Sequence, residues 1–350
     1  SSSYRKKVTE NDDNPNPIKA VVLGELARLG QAKISVLQQF ISHSYSGWLH
    51  DMKARDFSLE LAYLEKNKLI YKVENSSSTY GATKLGKTTV FCGLSPESGG
   101  ILGGFIRALI NLGKKQTEAE GTNHNYLRRL RDLDLLFLVA ASFEVRNNLL
   151  GKPSKKDKLF VEQYIEQLDV DEKPLVNLWR SSMSKDFPTR RLLSSLRFSV
   201  DTSKNDVAEN TFSRIMGTAI LLHRHANGEK IEVLAKEYGK HVGALENNLK
   251  YTASWVLNCL AQICSSDKCY KLDFIAMQIY QLLENLTLGS TLGKLLTIKG
   301  VGKKSVEKLV DSGFRDIPSL VNLSIESYDR FGIKETQAKN IIRFTRRQSR

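Results

Sequence analysis

A chain of 350 residues, 41% hydrophobic and 26% charged, is long enough for two or three domains with cores of their own. Lys and Arg outnumber Asp and Glu by 52 to 38, and the net charge of +14 favours an anionic partner, nucleic acid ahead of an acidic membrane surface. No apolar run approaches the roughly 18 residues of a membrane span, no signal peptide leads the chain, and Cys92, Cys259, Cys264 and Cys269 lack the spacing of a zinc site, so they read as reduced intracellular thiols, in the cytoplasm of a prokaryote or the nucleus of a eukaryote.

Residues 1–17 are polar and punctuated by Pro15 and Pro17, the composition of a disordered leader or linker. Helical spacing follows over 18–29, where Val21, Val22, Leu26 and Leu29 share a face, and over 34–42. A third helix is expected over 57–66, opened by Asp56 and Ser58. Residues 69–73 then read as a strand, 74–78 as a polar turn and 79–83 as the return strand. Three helices and a β-hairpin follow the order of a winged helix, placed at 18–94. Protein-docking modules that never touch DNA share that order.

Within this stretch, Gly81-Ala82-Thr83-Lys84-Leu85-Gly86-Lys87-Thr88 satisfies G-x-x-x-x-G-K-S/T, the phosphate-cradling loop. That chemistry needs a buried strand before the loop and a helix after it. Ser76 to Thr79 are polar, and Thr88, Thr89 and Val90 are β-branched and lead to Gly93 and Pro96. Neither context fits, so a nucleotide site is not expected, and Lys84 and Lys87 read as a basic wing tip available to DNA.

From 95 to 290 the pattern is helical and reads as a multi-helix bundle. Helices are expected over 101–112, 126–148, 158–168, 175–183, 189–196, 205–226, 231–238, 242–263 and 272–286, with a polar linker at 113–125. Asn227-Gly228 closes the long helix over 205–226. His223 and His225 are two apart, fall on different helix faces and make a poor metal chelate.

The last domain, 291–350, is the most specific. Lys299-Gly300-Val301-Gly302-Lys303-Lys304 joins an apolar helix end to a second helix. The glycines allow a tight turn, and the new helix starts with unpaired amides at the positive end of its dipole, where a phosphate fits. Lys303, Lys304 and Lys308 add charge. This is the helix-hairpin-helix pattern, which grips a nucleic-acid backbone without reading bases; a plain packing corner is the alternative. Phe331-Gly332-Ile333-Lys334 opens a degenerate second copy. Residues 294–350 hold 13 Lys and Arg against 6 Asp and Glu, half of the chain's net charge.

The order of these parts resembles the C-terminal half of superfamily-2 DNA helicases of the Ski-like group, nearest to the archaeal stalled-fork helicases and the helicase region of DNA polymerase theta. Three stretches carry the resemblance. They are Tyr80 to Lys87 with Leu94-Ser95-Pro96-Glu97; Ile231 to Gly239 with Gly243-Ala244-Leu245 and Ala253-Ser254-Trp255-Val256-Leu257; and Leu295 to Phe314. Lys299 stands where that family has Pro, and Ala244 where it has Asp. The resemblance implies two ATPase domains before residue 18, which alone would bind ATP and magnesium, so no cofactor is expected in this chain. It also implies a ratchet helix over 205–226 that contacts single-stranded DNA, with His225 at the base-stacking position and Arg214 as its basic partner. The function implied is the DNA-gripping half of an ATP-dependent helicase acting on single-stranded or forked DNA, with motor domains or repair proteins as partners. The alternative is a free-standing DNA-binding or scaffold protein of the same architecture.

Overall fold

Pro17 opens the first helix, a position where its missing amide costs nothing. The computed structural model describes residues 17–43, 57–74, 76–120, 130–145, 155–168, 205–265 and 268–348. Residues 1–16 of the expected leader and the expected helices over 175–183 and 189–196 lie outside these residues, and Pro17 belongs to the first helix. Helix α1 (Pro17–Leu29) buries Ile18, Val22, Leu23 and Leu26. Gly30, at φ +79, turns the chain into β1 (Gln31–Lys33). Helices α2 (Ile34–His43) and α3 (Ser58–Lys66) follow, then β2 (Ile70–Lys72) and β3 (Thr79–Ala82). The sheet is antiparallel in the order β1-β3-β2, with Ala32 opposite Tyr80 and Tyr71 opposite Gly81. β1 was not legible in the sequence, because three residues are too few to show an alternation.

Residues 84–91 depart from the expectation. They form a helix, α4 (Lys84–Phe91), instead of a continuation of the wing. The Thr83 hydroxyl oxygen accepts the Gly86 amide at 3.0 Å and caps the helix, and the Thr89 hydroxyl donates to the Leu85 carbonyl at 2.8 Å, so the β-branched run is accommodated. A strand and a helix therefore do flank the phosphate-loop motif, but no cradle lies between them. Gly81 and Ala82 are in the strand, and Gly86, Lys87 and Thr88 are inside the helix. Gly86 serves packing: a Cβ there would run into the carbonyl oxygen of Leu69. Lys84 and Lys87 lie on the exposed face of α4, away from the wing tip at 73–78.

Helix α5 (Pro96–Glu120) continues through most of the expected linker. Lys114, Lys115, Gln116, Glu118 and Ala119 are strong helix formers, and no proline interrupts them. Conversely, the helix expected over 126–148 is interrupted: α6 spans Asp132–Ala141, and residues 143–145 are helical again after Ser142. Asp134 Oδ2 accepts the Arg131 amide at 2.9 Å at its start, and Ser142, at ψ 150, ends it. The flanks at 126–129 and 146–148 lie outside the described residues. Every residue of α6 after Asp132 is buried, so this helix is the axis of the bundle, apolar on all sides.

Around it stand α7 (Lys155–Gln167), α8 (Asn205–Ala226), α9 (Ile231–Glu237), a continuous helical stretch over 242–264, and α12 (Asp273–Leu288). The continuous stretch comprises α10 (Val242–Asn247), a π-helical turn (Asn248–Ala253) and α11 (Ser254–Cys264). Arg224 on α8 donates to Glu229 at 2.7 Å and to Glu237 at 2.7 and 2.8 Å, tying α9 to α8. Arg107 on α5 donates to the Tyr270 hydroxyl at 2.9 Å and to the Asn67 carbonyl at 3.2 Å, tying the bundle to the end of α3. One continuous set of buried residues runs from Ile18 to Leu286, and a second, separate set runs from Leu292 to Ile341. The expected boundary at 94/95 thus marks a change of topology within one core. Among the described residues no helix is long and apolar enough to cross a membrane.

Gly86→Ala is expected to lower stability by about 1–3 kcal/mol, since its methyl meets backbone that cannot rotate away. Lys87→Ala, on the exposed face of the same helix, should stay within about 0.5 kcal/mol of the parent. Urea denaturation of both variants checks the contrast.

Candidate nucleic-acid interface

After α12 the chain turns through Gly289, left-handed at φ +57, into a 3-10 helix (Thr291–Thr297). The first hairpin follows. Gly300, at φ +87, makes the turn, Val301 is buried, and Gly302 precedes α13 (Lys303–Asp311). A 3-10 turn (Pro318–Leu320) leads to α14 (Ile325–Arg330), a second hairpin with Gly332 at φ +69 and Ile333 buried, and α15 (Glu335–Gln348). The degenerate second copy read in the sequence is therefore a second helix-hairpin-helix. The two share a core that includes Leu295, Val306, Leu309, Tyr328, Ala338 and Ile341.

The copies clamp each other. Gln337 of α15 donates to the Gly300 carbonyl at 2.7 Å, and Asn340 donates to the Lys299 carbonyl at 3.2 Å. In return Lys308 of α13 donates to the Gly332 carbonyl at 2.7 Å. The Lys299 and Gly300 carbonyls of the first turn and the Gly332 carbonyl of the second are thus each satisfied by a side chain from the other copy. The turn that Lys299 enters without the resembled family's Pro is held from outside. At the first hairpin, Val301 donates its amide to Ile298 and Ser305 donates to Gly302, whereas the amides of Gly302, Lys303 and Lys304 find no acceptor among the described residues. These donors face outward at a helix start, the arrangement that receives an anion.

The lysines divide into two groups. Lys299 and Lys304 are exposed and make no ion pair among the described residues. Lys303 is half exposed, with its ammonium 3.6 Å from Glu284. Lys308 is exposed and spends one of its three ammonium donors on the Gly332 carbonyl, so it also ties the second turn. At the second hairpin, exposed Lys334 is followed by Glu335, which pairs with Lys339 at 2.6 Å and places a carboxylate at the helix start. That turn is the weaker anion site. Gln337 and Asn340 were missed in the sequence. The signal was present, since the offset from Gly300 to Gly332 also relates Ser305 to Gln337 and Lys308 to Asn340.

The ratchet candidates lie elsewhere. His225 is 3% exposed at the end of α8, so its ring offers no open face to a base; this corrects the expectation of a stacking side chain. Its Nδ1 lies 3.3 Å from the Glu229 carbonyl, and its buried Nε2 has no hydrogen-bond partner. It lines a cavity of about 640 Å³ between the bundle and the hairpin unit, with Lys250, Leu288, Asp311 and Arg315 on the other walls. Arg214 is partly exposed on α8, with its buried Nε lacking a partner. Among the described residues no cluster of His, Cys, Asp or Glu could hold a metal ion.

Backbone conformation separates the two glycines of the first turn. Gly300→Ala places a side chain at φ +87 and is expected to cost about 1–2 kcal/mol. Gly302→Ala, at φ −101 with open space where its Cβ would lie, should cost a few tenths while crowding the outward amides. Thermal denaturation beside a DNA-binding assay checks both. A pH effect follows from His225. Burial lowers its pKa from 6.5 more strongly than the Glu229 carbonyl raises it; Lys250 and Arg315 lower it further, and Glu246 opposes them. Below that ordinary value the unfolded chain binds a proton that the folded chain refuses. Stability is therefore full above about pH 6.5 and falls as the pH drops through the lowered folded value. Urea melts between about pH 7.5 and 5.5 should show this fall, and His225→Gln should flatten it.

Residues 292–347 match the family described as the SAM-like helix-hairpin-helix tandem. No curated protein matches the chain. The match coincides with the paired hairpins and their separate core, and a tandem of this kind points to nucleic acid as the partner.

Proposed function

We propose that this chain binds DNA through its C-terminal hairpin pair, gripping the sugar-phosphate backbone without reading sequence. We further propose that it is the DNA-handling half of an ATP-dependent superfamily-2 helicase that guides single-stranded or forked DNA in replication or repair. The observation that carries the first statement is the set of outward amides at Gly302, Lys303 and Lys304 beside the unpaired Lys299 and Lys304. Oriented donors and cations with no acceptors among them suit phosphate oxygens.

The helicase reading rests on the order of parts. Helix, strand, helix, helix, strand, strand, with the sheet order β1-β3-β2, supports a winged helix at 18–94. A bundle with a long helix at Asn205–Ala226 and then the hairpin pair continue the resemblance. On this reading ATP and magnesium belong to motor domains outside these residues, and the segment 81–88 has no nucleotide role. The burial of His225 favours a second reading, a free-standing DNA-binding or scaffold protein, because the ratchet contact the resemblance assigns to that residue is closed. An ATPase assay of the native gene product, with and without single-stranded DNA, separates the two. DNA-stimulated hydrolysis supports the helicase half, and its absence supports the free-standing protein.

The grip itself is tested by anisotropy of labelled DNA across a salt series. Each phosphate neutralised contributes roughly 0.7 to 0.9 to the negative slope of log K against log salt. The Lys303→Ala, Lys304→Ala double variant should weaken single-strand and duplex binding alike and flatten the slope by about one to two units. Wild-type affinity and slope in this variant would leave the hairpins as a packing corner.

A further inference from the structure

The exposed face of α4 carries Lys84, Lys87 and Phe91, spaced so that they follow one another along the helix. Phe91 is 77% exposed, and the Lys268 ammonium, from the loop after α11, stands 5.2 Å from its ring centroid. Next to Phe91 in the chain, the Cys92 carbonyl accepts the Trp255 indole N–H at 2.9 Å, which pins the indole to the end of α4 and leaves it 39% exposed. Tyr251, one turn before Trp255, is 68% exposed. Lys84, Lys87 and Lys268 make no ion pair among the described residues. Three exposed rings and three uncompensated cations thus share one side of the molecule, outside the hairpin unit.

Aromatic surface left in water contributes nothing to the core, and cations interleaved with it are unsuited to an apolar protein partner. The chemistry they match is a polyanion whose repeating units present flat π faces. Single-stranded nucleic acid has both features. A duplex has the charge but hides its base faces in the stack. We propose that Phe91, Trp255 and Tyr251, flanked by Lys84, Lys87 and Lys268, form a base-stacking platform for single-stranded nucleic acid. The platform rests on the reading of the chain as a DNA-binding protein, but it is a second surface with a different mechanism from the hairpins. The rings hold bases, the lysines follow the backbone, and the contact is indifferent to sequence because every base has a π face.

The test uses the full chain and two variants, Phe91→Ala with Tyr251→Ala, and the Lys303→Ala, Lys304→Ala pair. Both aromatic positions are mostly exposed, so their truncation leaves the core intact. The probes are labelled oligothymidine, an abasic strand of equal length and a duplex of equal length. The aromatic variant should lose at least about fivefold in affinity for oligothymidine, while keeping its salt slope and its affinity for the abasic strand and the duplex. The lysine variant should lose affinity for all three probes. Wild-type affinity of the aromatic variant for oligothymidine overturns the platform, and so does an equal loss on all three probes. Wild-type behaviour of the lysine variant overturns the hairpin grip and leaves the platform standing if the aromatic variant still discriminates.

Discussion

A helix that begins in a turn leaves its first amides without acceptors, and water or a ligand must supply them. In the hairpin unit this constraint organises everything else. The turn carbonyls are removed from competition by Gln337, Asn340 and Lys308, each reaching across from the other copy. What the first turn presents to solvent is therefore one-sided: donors at Gly302, Lys303 and Lys304, and the ammonium groups of Lys299 and Lys304. The carbonyl oxygens of Lys299, Gly300 and Gly302 are already engaged when an anion arrives. The shared core of Val301, Val306, Ile333 and Ala338 exists to hold the two turns in this mutual register.

The bundle answers a different requirement. Helix α6 is buried along its whole length after Asp132, so it must be surrounded on every side. Helices α5, α8, α11 and α12 supply that cover, and one core results. The polar ties at its periphery, Arg224 to Glu229 and Glu237 and Arg107 to Tyr270 and Asn67, fix how the outer elements sit on it.

Much of this was legible in the residues, for physical reasons that differ along the chain. The helix at Asn205–Ala226 announced itself by periodicity and by the Asn227-Gly228 stop, and Gly228 does take a positive φ. The first hairpin was legible because Gly300 and Gly302 sit between two apolar helix faces. Helix α4 was not, because Thr88, Thr89 and Val90 favour a strand locally, and only the Thr83 cap and the fit of Gly86 against Leu69 override them. The break in the expected helix at Ser142 was not legible because the apolar pattern runs on through it, and residues 143–145 are helical again. The tie made by Lys308 and the burial of His225 could not be read at all. A lysine that reaches a carbonyl in the other copy, and a histidine sealed beneath Gly289, differ from surface residues only in what the fold brings to them.

The two hydrophobic cores meet near Gly289 without merging. Across that seam Leu288, the last residue of α12, packs against the hairpin core, and Lys303 approaches Glu284. The hairpin unit thus has a core of its own and rests on the end of α12. A chain divided at Gly289 would uncover Leu288 but leave each core otherwise intact, whereas one divided at residue 94 would strip Leu85, Leu102 and Phe105 of their shared packing. Recombination can move the hairpin pair between proteins as a part with a core of its own, while the N-terminal sheet unit and the bundle must be inherited together.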